Sequence, residues 1–138
     1  MDDIETRTDI DQVLRTFYLA AFEDEHLGPI FTDVAHMNLE AHLPVIGAFW
    51  EKVLLHVDGY RGNAMRVHQE LNRRSALTPE RFERWLTMWN TAVDSLFAGP
   101  VATDAKAQAV RIAGAMLRNL DRDDLQGDPP RSLPLAAP

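Results

Sequence analysis

Apolar residues return at steps of three and four along almost the whole of this chain, and that period admits little except helices packed on one another. Ile10, Val13, Leu14, Phe17, Tyr18, Ala21 and Phe22 form one such stripe, as one buried face of an α-helix requires. A second runs Leu39, His42, Leu43, Ile46, Phe49, Trp50, Val53, Leu54 and Val57. A third holds Phe82, Trp85, Leu86, Trp89, Val93, Leu96 and Phe97, and a fourth Ala105, Ala109, Ile112, Ala113, Met116, Leu117 and Leu120. Asp58-Gly59 could mark a hairpin, but no alternating pattern flanks it, so an extended loop is expected over 57–63. The fold class is therefore all-α, with four substantial helices and one short one.

Caps and breakers divide the stripes. Thr8 with Asp11 three residues on makes a capping pair for the first helix, and Gly28-Pro29 would end it. Asn38 can cap the second. Pro44 then falls inside that stripe, where it lacks an N–H and crowds the preceding turn, so either the first turn is irregular or the helix proper starts near Pro44. Asn63 would open a short helix over 63–71 that places Met65, His68 and Leu71 near one face. Thr78-Pro79 has the favoured order of cap then proline, and Gly99-Pro100 would stop that helix. Residues 121–138 hold four prolines and no stripe. One domain over 1–120 followed by a disordered tail over 121–138 is expected.

Composition narrows the function. At 138 residues with 46% hydrophobic content, one well-cored domain is expected. The chain has no cysteine, which excludes disulfides, iron–sulfur clusters and thiol catalysis. A net charge of −7 argues against general nucleic-acid binding. The charge is uneven, because 61–84 carries Arg61, Arg66, Arg73, Arg74, Arg81 and Arg84 against Glu70, Glu80 and Glu83. Such a patch is either a solvated helix face or a site for a small anionic group. No apolar run is long enough to span a membrane, and the acidic N-terminus is unlike a signal peptide, so a cytoplasmic location is expected.

Among His26, His36, His42, His56 and His68 there is no HExxH pair, and the chain has neither a glycine-rich phosphate loop nor a GxSxG elbow. His42 and His68 lie on apolar faces. A lone histidine in that position is more often a hydrogen-bonded core residue than a ligand, but here two occur with large aromatics between them. Phe17, Tyr18, Phe31, Phe49, Trp50, Trp85 and Trp89 could simply fill the core. They could also enclose a flat cofactor. Haem needs an axial imidazole, apolar contact on both faces and cations or hydroxyls at its propionate rim. Tyr60, Arg61 and Arg66 lie close in sequence to His68 and could form that rim.

The segments FYLAAF and LGPIF (17–22 and 27–31), HLPVIGAFW (42–50), GYRGNAMRVHQEL (59–71) and FERWLTMW (82–89) fall in one order and spacing. In these the chain resembles the truncated haemoglobins, group III most closely, over about 10–120. The absence of any Gly-Gly pair fits that group. The resemblance implies a two-over-two helical sandwich, a shortened globin, carrying haem b (iron protoporphyrin IX). It implies His68 as the proximal metal ligand, oriented by a backbone carbonyl near Ala64. It implies Tyr18, His42 and Trp85 as distal residues, and Phe31, Ile46, Phe49, Trp50, Met65, Leu71 and Met88 as pocket lining. Tyr60 and Arg66 would contact the propionates. The match is weaker over 72–77.

By the same resemblance the partner is a diatomic gas (O2, NO or CO), and the function is ligand sensing or redox detoxification rather than bulk oxygen transport. Nitric oxide dioxygenase or peroxidase-like turnover would require a separate reductase. A cofactor-free helical interaction module would account for the stripes, caps and charge. It would not account for histidines, aromatics and arginines falling together at these positions.

Overall fold

A computed structural model describes residues 1–30, 38–60 and 78–126, the side chains of 119–126 excepted. Among these residues all regular structure is helical. The long helices are α1 (Arg7–Glu23), α2 (Leu39–Leu55), α3 (Pro79–Leu96) and α4 (Pro100–Gln126). The short helix expected over 63–71 lies outside the described residues, as does 127–138. Helix α1 packs on α2 and on α3, while α4 packs on α3 and on α2. Each long helix thus packs chiefly on two of the others. The centre of the fold is closed by Phe17 and Tyr18 from α1, Ile46 and Trp50 from α2, and Trp89 and Val93 from α3, all with at most 1% exposure.

The helix ends differ from the expected ones in instructive ways. Thr6, not Thr8, caps α1: its side chain accepts from the Asp9 N–H while the Asp9 carboxylate accepts from the Thr6 N–H. Both Thr-x-x-Asp pairs satisfy the capping pattern. Asp11 is drawn away by Arg7, whose Nε donates to it at 3.1 Å. Helix α1 then stops at Asp24, before Gly28-Pro29. The Asp24 carboxylate accepts from the N–H groups of His26 and Leu27 and from the Arg84 guanidinium of α3, so one side chain ends α1, shapes the next turn and ties it to α3.

Pro44 does not delay α2, which begins at Leu39 with Asn38 as its cap. A side chain from α1 also holds this turn from outside the helix. The Arg7 guanidinium donates to the Pro44 carbonyl at 3.0 Å and reaches Glu51 at 3.3 Å. It lies in the space beside Gly47, where a Cβ would stand 2.5 Å from Arg7 Nε. Glycine here leaves room for the clamp. One turn nearer the start of α2, Arg15 holds Glu40 through two bonds of 2.7 and 3.0 Å.

Helix α3 begins as expected, with Thr78 accepting from the Arg81 N–H and Pro79 at the first position. It ends at Leu96, before Gly99-Pro100, and that pair instead opens α4. The cap of α4 comes from the far end of the chain. The Asp3 carboxylate accepts from the N–H groups of Val101 and Ala102 at 2.9 and 2.8 Å. Gly99 adopts φ +143, and a Cβ there would strike Asp3 at 2.5 Å, so both conformation and space favour glycine. Helix α4 continues to Gln126, six residues into the segment expected to be a tail.

Burial opposes charge on Asp3, but its three backbone N–H partners win and hold its carboxyl below the usual carboxylate range. The Arg84 hydrogen bond does the same for Asp24, against the cost of burial. A carboxylate whose folded pKa is depressed stabilises the fold above its unfolded pKa, and that contribution is lost as pH falls through the folded pKa. Asp3→Ala should therefore cost about 1–2 kcal/mol at neutral pH, the usual worth of a helix cap. Urea unfolding of wild type and variant should show the gap closing as pH drops below the carboxylate range.

Candidate functional site

Of the expected distal residues, Tyr18 of α1 and Trp85 of α3 both touch Phe17, while His42 lies on α2. The rings of Phe17 and Tyr18 are 4.8 Å apart, edge to face. Phe17 also stands edge-on to Trp85 at 5.9 Å and to Trp89 at 5.6 Å. Tyr18 follows Phe17 on the buried stripe of α1, so the two rings leave the helix about 100° apart and cover adjacent parts of the core. Tyr18 is 1% exposed. Burial pushes its phenol far above the ordinary range, so the side chain remains a neutral O–H donor at any working pH.

Trp85 is 5% exposed, and its indole Nε1–H is buried with no hydrogen-bond acceptor among the described residues. Leaving such a donor unmet costs on the order of 1–3 kcal/mol, and buried orphans of this kind call for an explanation. The contrast with Trp89, one turn on, is direct: its Nε1–H donates to the Ala105 carbonyl of α4 at 3.2 Å. Among the described residues the N–H of Trp89 has its acceptor and that of Trp85 has none. Trp50 Nε1 and Asn90 Oδ1 are likewise unmet among the described residues.

On α2, His42 lies one turn before Ile46, and Trp50 one turn after it. His42 is half-buried, Ile46 and Trp50 fully buried, and Phe49 half-buried. Burial lowers the His42 pKa, which favours the neutral imidazole. Phe49 links Trp50 to Tyr60, with ring distances of 5.5 and 5.2 Å, both edge to face. Tyr60, which follows α2 in the chain, thus packs back onto Phe49. Met88 is half-buried on α3, three residues after Trp85. Phe31, Met65, Arg66, His68 and Leu71 lie outside the described residues. His56 and His26 are exposed. His56 ends α2 in the left-handed conformation, φ 60, a structural use of that position.

What sequence reasoning did not find is the contact between Trp50 and Trp89. Their rings stack at 4.5 Å and 21° across the sandwich, and Trp89 stacks on Trp85 at 5.8 Å and 13°. The i, i+4 spacing of Trp85 and Trp89 was a signal for the second stack. Nothing local could give the first, which joins two helices.

Among solved structures the chain is similar to the group III truncated haemoglobin from Campylobacter jejuni, with a TM-score of 0.77 over 87% of this chain and 95% of that one. The chain has the truncated-haemoglobin fold. Sequence identity between the two is 23%. No family model matches the chain, and no curated protein matches it. The all-α sandwich and the order of its elements thus agree with the resemblance carried by the four sequence segments. No helix among the described residues is long and apolar enough to cross a membrane.

Whether haem suits such a site can be judged from the donors present. A flat apolar group needs aromatic walls and a polar atom placed to meet what it binds. The wall formed by Tyr18, Phe17 and Trp85 is aromatic and dry, and the Trp85 N–H is a buried donor that the described residues leave unmet. Those residues fit the distal side of a haem pocket.

Proposed function

We propose that this protein binds haem b and presents its iron to a diatomic gas, with sensing or redox detoxification, not bulk oxygen transport, as its purpose. The observation that carries the reading is the Trp85 N–H, unmet among the described residues, beside the Tyr18–Phe17 pair in a truncated-haemoglobin fold. Bound haem would supply an open metal position for O2, NO or CO. His68 would hold the iron from the proximal side. Tyr18, His42 and Trp85 would face the ligand. Phe31, Ile46, Phe49, Trp50, Met65, Leu71 and Met88 would line the pocket, with Tyr60 and Arg66 at the propionates.

The residues of α1 and α3 then act as fixed donors. Tyr18 keeps its proton because burial opposes the phenolate, and Trp85 cannot lose its own, so both present N–H or O–H groups without a pH-dependent switch. Neutral His42 can donate or accept from α2, whose first turns are held by Arg15 and Arg7. Walls of this kind exclude water from a charge-bearing ligand and strengthen each hydrogen bond to it. Slow ligand release follows, which suits a sensor or a reaction chamber better than a carrier.

Titration of the apoprotein with haemin tests the reading. Saturation should fall at one haem per chain, with a Soret band and quenching of tryptophan emission, since Trp50, Trp85 and Trp89 all lie in the same core. A chain that stays colourless and fluorescent with excess haemin would favour the cofactor-free interaction module instead. Turnover is a separate question, answered by NADH-dependent consumption of nitric oxide in the presence of a cellular reductase. Consumption no faster than with free haem would count against an enzyme.

A further inference from the structure

Trp50, Trp89 and Trp85 make one continuous column of stacked indoles from α2 across to α3. Packing alone does not require indole at all three places, because aliphatic side chains fill cores as well. Indole is, however, among the side chains most easily stripped of an electron, and rings in stacking contact pass an electron between them readily. We propose that this column is a one-electron path out of the haem pocket and that Trp89 is where the oxidising equivalent comes to rest. The proposal rests on the haem-binding reading above.

Trp89 differs from its neighbours in three respects. It stacks on two other indoles, so a positive charge on it is shared with both rings. Its N–H donates to the Ala105 carbonyl, whose negative end faces any positive charge that develops on the indole. It is 1% exposed, so water has little access to the oxidised ring. Trp85 and Trp50 have no acceptor for their N–H among the described residues, and a positive charge there lacks that compensation. Tyr18 is close by, but a phenol gives up its proton on oxidation, and its full burial opposes the charge separation this needs. Phe17, which touches both Trp85 and Trp89, has too inert a ring to compete.

The oxidant is hydrogen peroxide. Its reduction to two waters breaks the O–O bond and takes two electrons and two protons. With haem bound, one electron would come from the cofactor and one from Trp89 by way of Trp85, and solvent would supply both protons. No bond to the indole forms or breaks. The proton stays on Nε1, because an amide carbonyl accepts a hydrogen bond but is too weak a base to take the proton. Two equivalents of a diffusible one-electron donor, a phenol or an ascorbate-like reductant, would then return one electron to Trp89 and one to the haem. The column would spare the porphyrin from the second oxidising equivalent.

The test is electron paramagnetic resonance on haem-loaded protein, frozen rapidly after mixing with hydrogen peroxide, with indole-deuterated tryptophan in a parallel sample. A radical signal that narrows on deuteration and retains an exchangeable N–H coupling is expected. It should be lost in Trp89→Phe and retained in Trp50→Phe, and the Soret band of Trp89→Phe should bleach faster. A tyrosine-type signal that ignores the label, or a tryptophan signal that survives Trp89→Phe, overturns the proposal. If Trp89→Phe does not fold, the wild type decides: a signal without the exchangeable coupling overturns it as well. A chain that takes up no haem sinks this proposal together with the reading beneath it. A loaded chain with no tryptophan radical sinks this one alone.

Discussion

His68→Gly should lose the Soret band and carbon monoxide uptake, and free imidazole should restore both. The reasoning starts from what an axial ligand does. In the proposed complex the porphyrin's contacts with aromatic walls would be non-directional, while the iron–imidazole bond would be the strongest directional link between cofactor and chain. Loss of a group that merely orients a metal ligand typically costs 10–100-fold in affinity, so loss of the ligand itself should weaken haem retention by about a hundredfold or more. Added imidazole fills the space that glycine leaves and supplies the same nitrogen.

The control is His42→Ala. His42 is the other histidine on an apolar stripe, half-buried on α2, and its lowered pKa favours the neutral imidazole that metal binding requires. If His42 is a distal residue, its alanine variant keeps the haem, and any low-spin bis-imidazole bands of the wild type shift. If the two variants exchange behaviours, with His42→Ala colourless and His68→Gly loaded, the proximal and distal sides have been assigned the wrong way round. Undiminished Soret absorbance in His68→Gly without imidazole would remove the basis of the functional reading.

How far the sequence reached can be judged from particular residues. The stripe Ile10, Val13, Leu14, Phe17, Tyr18, Ala21 is buried throughout, because helical period is a local property written in a single segment. Thr78-Pro79 and Asn38 were legible for the same reason. Thr8 was a misreading that local rules could not prevent, since Thr6 and Thr8 present the same spacing and the choice is made by Arg7 taking Asp11. The cap of α4 was out of reach altogether, because its acceptor, Asp3, is 98 residues away from Val101. Pro44 looked like a break because it has no N–H to give the preceding turn, yet α2 runs through it from a start at Leu39. The distal site divides along the same line. Tyr18 and Trp85 could be named from the resemblance, whereas the unmet N–H of Trp85 and the bond that satisfies Trp89 are facts of tertiary packing.

The second large effect expected is on oxygen release. A dioxygen ligand that draws electron density from a metal carries partial negative charge, and a hydrogen bond to a charged group is worth roughly 1.5–3 kcal/mol. At about 1.4 kcal/mol per tenfold, Tyr18→Phe should speed oxygen dissociation by one to two orders of magnitude. Trp85→Phe removes the other buried donor and should do the same. Each substitution keeps a ring in place, so wall packing changes little and the rate reports the donor. The two need not contribute equally. Tyr18 can turn its O–H about the C–O bond to follow the ligand, while the indole N–H of Trp85 is fixed by a ring stacked on Trp89 and edge-on to Phe17. A fixed donor is better preorganised, and the Trp85 N–H gives up no partner among the described residues when it bonds a ligand. Carbon monoxide gains less negative charge on binding, so its dissociation should respond far less to either change. Stopped-flow displacement of oxygen and of carbon monoxide from the three proteins separates the cases. If both rates rise together, the substitutions have opened the pocket to escape and the donors are not the cause. If neither moves, Tyr18 and Trp85 do not face the ligand, and the unmet indole N–H requires another account.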